Sequence, residues 1–173
     1  RSGVEHKASL DMVKYLGTAH DCEVTRLGVD AFGRHDLDEL RDAIRDDTIL
    51  VSVMLANNEI GNLNPIAEMA EIAHERGVLF HTDAVNALGK HRFDVKSLGV
   101  DLMSISSHKI YGPKGVGALY VKRKTPFQPM ILGGGQERGR RCGTYNTAGI
   151  VGFGEAAKRI AEDLDAGVIE RMS

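Results

Sequence analysis

Leu102-Met103-Ser104-Ile105-Ser106-Ser107-His108-Lys109-Ile110-Tyr111-Gly112-Pro113-Lys114-Gly115 joins a short apolar run to a polar, glycine-rich turn. A run of this length, bounded by turn residues, reads as a buried strand. Lys109 stands at its carboxyl end, where the pattern predicts a poorly solvated charge. A desolvated lysine can attack a carbonyl and form a Schiff base. Upstream, His81-Thr82-Asp83-Ala84 places an acid just after a second apolar stretch. A Schiff-base lysine, together with a carboxylate able to hold a pyridinium nitrogen, is the protein's share of pyridoxal 5′-phosphate (PLP) chemistry.

Outward from that stretch, helical and strand patterns alternate. Such alternation predicts an α/β fold with a mainly parallel sheet. Leu10, Val13 and Leu16 give residues 8–16 a helical spacing, and residues 23–29 read as a short strand. Asp36, with Glu39 three residues on, reads as a capping box that opens a helix through Leu37, Leu40 and Ile44. Residues 48–56 form a near-continuous apolar run, the type buried on both faces. Pro65 stands at the first position of a helix over 66–76 that Gly77 closes. Strands are expected over 78–81, 100–106 and 116–121, and a long helix in the segment 143–164. In open α/β sheets ligands sit outside the carboxyl ends of the strands. Asn57-Asn58-Glu59, Asp83 and residues 106–109 all fall at such ends.

The bulk numbers bound the function. With 173 residues, 42% apolar content, 27% charged content and a net charge of −2, the chain can form one globular domain. Acidic residues outnumber basic ones by 24 to 22, so no nucleic-acid surface is expected. No apolar run approaches membrane-spanning length, and no signal segment opens the chain. Cys22 and Cys142 form neither a disulfide framework nor a metal spacing, which points to a reducing compartment. The start at Arg1-Ser2-Gly3-Val4 and the end at Arg171-Met172-Ser173 read as those of a piece of a longer protein.

Each candidate has a plainer reading. Taken singly, Lys109 would be a surface residue, Asp83 a helix N-cap, His108 a structural histidine and His6 a core residue among apolar neighbours. His81 and Asp83 could start a metal pair, but no further ligands follow at metal spacing. The glycines of 112–117 and 133–143 match neither a phosphate loop nor a dinucleotide fingerprint, and they also serve tight turns. Cys142 beside Arg140 and Arg141 could be an activated nucleophile or a small buried residue. The run 138–141 suits a solvated or subunit-interface surface. Cys22 reads as structural.

Five stretches together resemble the class V aminotransferase superfamily and, within it, the NifS/IscS-like cysteine desulfurases. They are Glu5-His6-Lys7-Ala8, Leu55-Ala56-Asn57-Asn58-Glu59-Ile60-Gly61, His81-Thr82-Asp83-Ala84, the 106–115 turn, and Gly133-Gly134-Gly135-Gln136-Glu137-Arg138-Gly139-Arg140-Arg141-Cys142-Gly143-Thr144. The resemblance implies a three-layer α/β large domain of a PLP-dependent transferase over residues 1–173, with the connection to a small domain starting from about residue 146. It implies that Lys109 carries the cofactor and moves the substrate proton, Asp83 pairs with the pyridine nitrogen, and His6 stacks on the ring. Asn58 and Asn86 would contact the ring hydroxyl, and Ser106 and His108 the phosphate. Thr144 would reach the phosphate bound by a second subunit, which implies a homodimer. The implied reaction converts L-cysteine to L-alanine and leaves a persulfide, whose sulfur goes to an acceptor or scaffold protein for iron–sulfur cluster assembly. The implied compartment is the cytoplasm, or the mitochondrion in a eukaryote. Selenocysteine lyase or another class V PLP enzyme keeps the cofactor and changes the substrate. A non-catalytic domain of the same fold is the reading from a different class.

The chain also departs from that family. Asn86 stands where glutamine is usual, Ser107 where glycine is usual, and Tyr145 where many nitrogenase-type members have glutamate. The family's catalytic cysteine and carboxylate-binding arginine are expected beyond residue 173. Its N-terminal phosphate-binding turn is expected before Arg1.

Overall fold

The computed structural model describes residues 2–168; Arg1 and residues 169–173, on which the reading of the termini partly rests, lie outside them. Four strands form the main sheet: β1 (Leu50–Ser52), β2 (Leu79–Asp83), β3 (Leu102–Ser106) and β4 (Gly117–Val121), side by side in that order. The first three are parallel, with Leu50 opposite Leu79 and His81 opposite Leu102, while β4 runs antiparallel to β3. Helices α1 (Lys7–Ala19) and α2 (Leu37–Ala43) precede β1. Helix α3 (Ile66–Glu75) joins β1 to β2, and α4 (Val95–Leu98) joins β2 to β3. A small hairpin, β5 (Gly135–Gln136) with β6 (Arg141–Cys142), leads into α5 (Thr147–Asp165). The expected α/β fold, a mainly parallel sheet flanked by helices, is the one observed.

Alternation along the strands sorts the two faces. Val51, Val53, Phe80, Thr82 and Met103 are buried on one face, and the apolar residues among them join Leu40, Ile66, Met69, Ala70 and Ala73 in the core. Phe80 and Met69 are fully enclosed, and burying each such side chain contributes about 1.5–3 kcal/mol. The residues in between, Ser52, Leu79, His81, Leu102 and Ser104, are half-buried on the other face.

Four expectations need correction. Residues 23–29 form no strand: Leu27 makes one isolated bridge with Ser2. The backbone of Gly28 is satisfied by side chains instead, its N–H by Glu39 Oε1 at 2.9 Å and its carbonyl by His35 Nδ1 at 2.9 Å. That use of Glu39 also leaves the capping box half built, with Asp36 capping Asp38 N–H at 2.8 Å and no return bond. The apolar run 48–56 pairs regularly only from Leu50. Thr48 is drawn into a turn with Arg45, and Leu50 is 44% exposed at the edge of the sheet. Pairing does continue past β1, since Val53 N–H donates to His81 O and Leu55 N–H to Asp83 O. Pro65 caps α3 from outside rather than starting it.

Candidate active site

Parallel pairing brings three strand ends together. Asp83 is the last residue of β2 and lies opposite Ser104, two residues before the end of β3. Leu55 is tied to Asp83 O, so the turn that follows with Asn57 and Asn58 opens beside Asp83. The segment before α1 joins the same end. Glu5 Oε1 accepts from Met54 N–H at 2.8 Å, and Val4 O accepts from Asn57 Nδ2 at 2.8 Å. His6, Asn58, Asp83, Asn86, Ser106, His108 and Lys109 therefore all lie on elements at the carboxyl ends of β1–β3.

Lys109 is exposed, not desolvated as the strand pattern predicts. The strand gives way to a 3-10 turn, Ser107–Ile110, in which positions i and i+3 share a side. Ser107 and Ile110 take the buried side, so His108 and Lys109 face solvent. Tyr111 at φ 63° then reverses the chain into Gly112. Ser106 Oγ and His108 Nδ1 are 2.7 Å apart, which pairs two polar groups at the turn's entrance.

Asp83 is 9% exposed. Its Oδ1 accepts from Val85 N–H at 2.9 Å and so caps a turn, not the helix that the plain N-cap reading expects. Oδ2 accepts no hydrogen bond among the described residues. That oxygen is open to accept a donor from a ligand. Asn86 is as buried, and its side-chain amide makes no hydrogen bond among the described residues. His6 is exposed rather than in the core, and its Nδ1 caps α1 through Ala8 N–H at 3.2 Å. That bond leaves Nε2 to carry the ring proton when the imidazole is neutral. Asn58 is exposed and its Nδ2 donates to Glu59 Oε1 at 2.7 Å. A donor-less carboxylate, a free amide and an exposed lysine fit a protonated aromatic nitrogen, a ring hydroxyl and an aldehyde, so the residues present fit PLP.

Thr144 is exposed and tied in only through its carbonyl, which accepts from Arg141 Nη1 at 3.1 Å. Nothing in the described residues links its side chain to the strand ends. The same Arg141 lies over the Tyr145 ring and bonds the Gly143 and Thr144 carbonyls, so it is not spent on Cys142. A separate groove of about 730 Å³ lies between the edge of β4, the hairpin and α5. None of the expected site residues lines it, and the strand ends carry the chemistry.

Two features escape sequence reading. His81, considered above for metal, instead bridges Ser52 Oγ at 2.8 Å and Ser104 Oγ at 2.9 Å, a polar chain across three strands. Burial pushes its pKa below the usual histidine range, against a smaller upward pull from Asp83. Asn57, which the sequence places beside Asn58 with no role of its own, is 7% exposed and fully engaged with the protein. The side-chain alternation in β1–β3 could have flagged the first; residue type and apolar pattern alone do not separate Asn57 from Asn58.

Among curated proteins, a cysteine desulfurase of Sinorhizobium fredii is 49% identical over 164 residues, 95% of this chain and 42% of that protein. The cysteine desulfurase IscS of Methanosarcina thermophila is 50% identical over 95% of this chain and 40% of its own length. Among solved structures, a NifS-like protein superposes with a TM-score of 0.90 at 43% identity, covering 95% of this chain and 45% of that one. A structure described as SspA in complex with cysteine gives 0.87 at 40% identity, over 91% and 46%. The chain thus spans about two fifths of the length of the curated relatives it matches. The family described as aminotransferase class-V matches residues 2–172, all but the two ends of the sequence, and the chain belongs to that family.

Proposed function

We propose that this chain is the cofactor-binding core of a PLP-dependent cysteine desulfurase, which takes L-cysteine to L-alanine and passes the sulfur to a protein thiol as a persulfide. The observation that carries the reading is the convergence of Lys109, Asp83, Asn58, Asn86, Ser106, His108 and His6 at three adjacent strand ends. The similarity to proteins named cysteine desulfurase supports it. PLP, when bound, supplies an electron sink for negative charge developing at the substrate's α-carbon. The chain's own part is positioning and proton handling. Asp83 Oδ2 would hold the ring nitrogen's proton, and Asn58 and Asn86 would orient the ring hydroxyl. Ser106 and His108 would take the phosphate. Lys109 Nζ, reaching out from the turn, would anchor the cofactor and then carry the substrate proton. His6 would cover the ring, with its proton on Nε2.

Thr144, exposed beyond the hairpin, would reach the phosphate of a second copy, so the working form would be a homodimer. A sulfur-acceptor or scaffold protein would be the further partner, in the cytoplasm or, in a eukaryote, the mitochondrion. No helix of the described residues is long and apolar enough to cross a membrane. Neither Cys22 nor Cys142 is assigned the sulfur.

The test is the visible spectrum of the purified chain with added PLP, followed by borohydride reduction and peptide mapping. A visible band with the reduced adduct on Lys109, both lost in Lys109→Ala, is the expected result. No band, or adducts scattered over surface lysines, would refute the assignment. Alanine and sulfide formed from L-cysteine by the full-length protein would establish the reaction.

A further inference from the structure

Asn57 stands where two of the proposed cofactor contacts meet. Its Oδ1 accepts from the N–H groups of Glu59 at 2.8 Å and Ile60 at 3.0 Å, and so shapes the turn that presents Asn58. Its Nδ2 donates to Val4 O at 2.8 Å and lies 3.5 Å from Met54 Sδ. Val4 is two residues before His6. Its backbone completes the turn: Asn57 N–H donates to Asn62 O at 3.0 Å, and Asn57 O accepts from Gly61 N–H at 3.1 Å. Only one amide orientation works, because Val4 O can only accept and the two turn N–H groups can only donate. Asn58, by contrast, faces solvent.

We propose that Asn57 is a positioning residue that fixes the His6 segment and the Asn58 turn to each other, so that the ring-covering and ring-hydroxyl contacts move as one unit. The inference rests on the functional reading above and goes beyond it. It makes a residue that touches no cofactor responsible for the spacing between two that do. A buried hub with every polar group used transmits a displacement on one side to the other, and an apolar or shorter side chain breaks the link while leaving buried groups unpaired.

Asn57→Asp separates the two halves. An aspartate still accepts from Glu59 and Ile60 N–H but cannot donate to Val4 O. Amide hydrogen exchange in the full chain is expected to rise about tenfold or more over residues 2–10 and to stay within about threefold over 59–61. With PLP added, its visible band is expected to shift in position and its apparent Kd to rise about tenfold, with the reduced adduct still on Lys109. Asn57→Ser guards against misfolding from the buried charge, because its hydroxyl can serve the turn but is too short to reach Val4 O. The same asymmetry is expected there.

Exchange that rises equally in both segments and in β2 and β3, with the cofactor band unmoved, would make Asn57 merely structural and overturn the proposal. So would exchange over 2–10 unchanged in both variants. If the parent chain itself gives no band and no Lys109 adduct, the functional reading fails. The exchange asymmetry then decides on its own whether Asn57 ties the two segments.

Discussion

At the residue scale, the surroundings of His81 and His35 disfavour the charged imidazolium. Burial lowers the pKa of each, offset in part at His35 by its bond to Gly28 O and at His81 by Asp83. Nε2 of His35 is buried with no partner among the described residues. The unfolded chain takes up protons at these sites near pH 6.5 while the folded chain resists. Stability they confer is therefore complete above about pH 6.5 and falls as pH drops toward their lower folded values. Urea midpoints are expected to fall between pH 7 and 5.5, and His35→Gln with His81→Gln should flatten that part of the curve. A slope untouched by the double change would assign the loss elsewhere. Sequence alone identifies which residues stand at strand ends, because strand and turn residues announce themselves. It fails on orientation. Lys109 is exposed because the turn, not the strand, sets its direction, and Asn57 differs from Asn58 only in the partners it meets.

At the element scale, the lysine-bearing turn is held by α5. Small residues face it: Gly149 lies against Val116, Gly152 against Pro113, and Ala156 close to Gly112. A methyl group at Gly112 would overlap Ser107 Oγ and come within 3.1 Å of Ala156 Cβ. Ser107 Oγ is buried with no partner among the described residues. Gly112→Ala is expected to cost about 1–3 kcal/mol by urea unfolding. Ser107→Gly should recover part of that cost, with a coupling above about 0.5 kcal/mol in a double-mutant cycle. Strict additivity would mean that the two positions do not touch. Ser107→Ala alone should be neutral or stabilising by up to about 1 kcal/mol, since it removes an unpaired buried hydroxyl. Helices α1, α2, α3 and α5 and strands β2–β4 are legible because their periodicity and caps are local, whereas the four-residue α4 is too short to show a period. The lost strand at 23–29 is not, because a strand needs a neighbour, and here Glu39 and His35 meet the backbone of Gly28 first.

At the scale of the whole molecule, chemistry and stability sit at opposite ends of the sheet. Asp101 precedes β3, five residues from Ser106, which is about 16 Å along a strand. Its Oδ2 meets His74 Nε2 at 2.7 Å and Phe80 N–H at 2.9 Å, and Oδ1 lies 3.4 Å from Lys122 Nζ. One carboxylate thus joins α3, β2, β3 and the end of β4. Burial alone would raise its pKa, but these bonds and the charges of His74 and Lys122 outweigh it and hold the carboxyl below the usual range. A carboxylate depressed in this way contributes stability that is whole above about pH 3.9, its unfolded value, and lost as pH falls through the folded one. Asp101→Asn is expected to cost about 1–3 kcal/mol at pH 7, discounted for the half-exposed lysine. Parent and variant should converge at the acid limit of the curve, while the Lys109 adduct with PLP forms in both. A variant that keeps its midpoint at pH 7, or loses the adduct while still folded, would show that the two ends are not independent. The sequence shows the ligand end because its residues cluster after apolar runs. Asp101 is one acid before a strand, and its role appears only when four elements close around it.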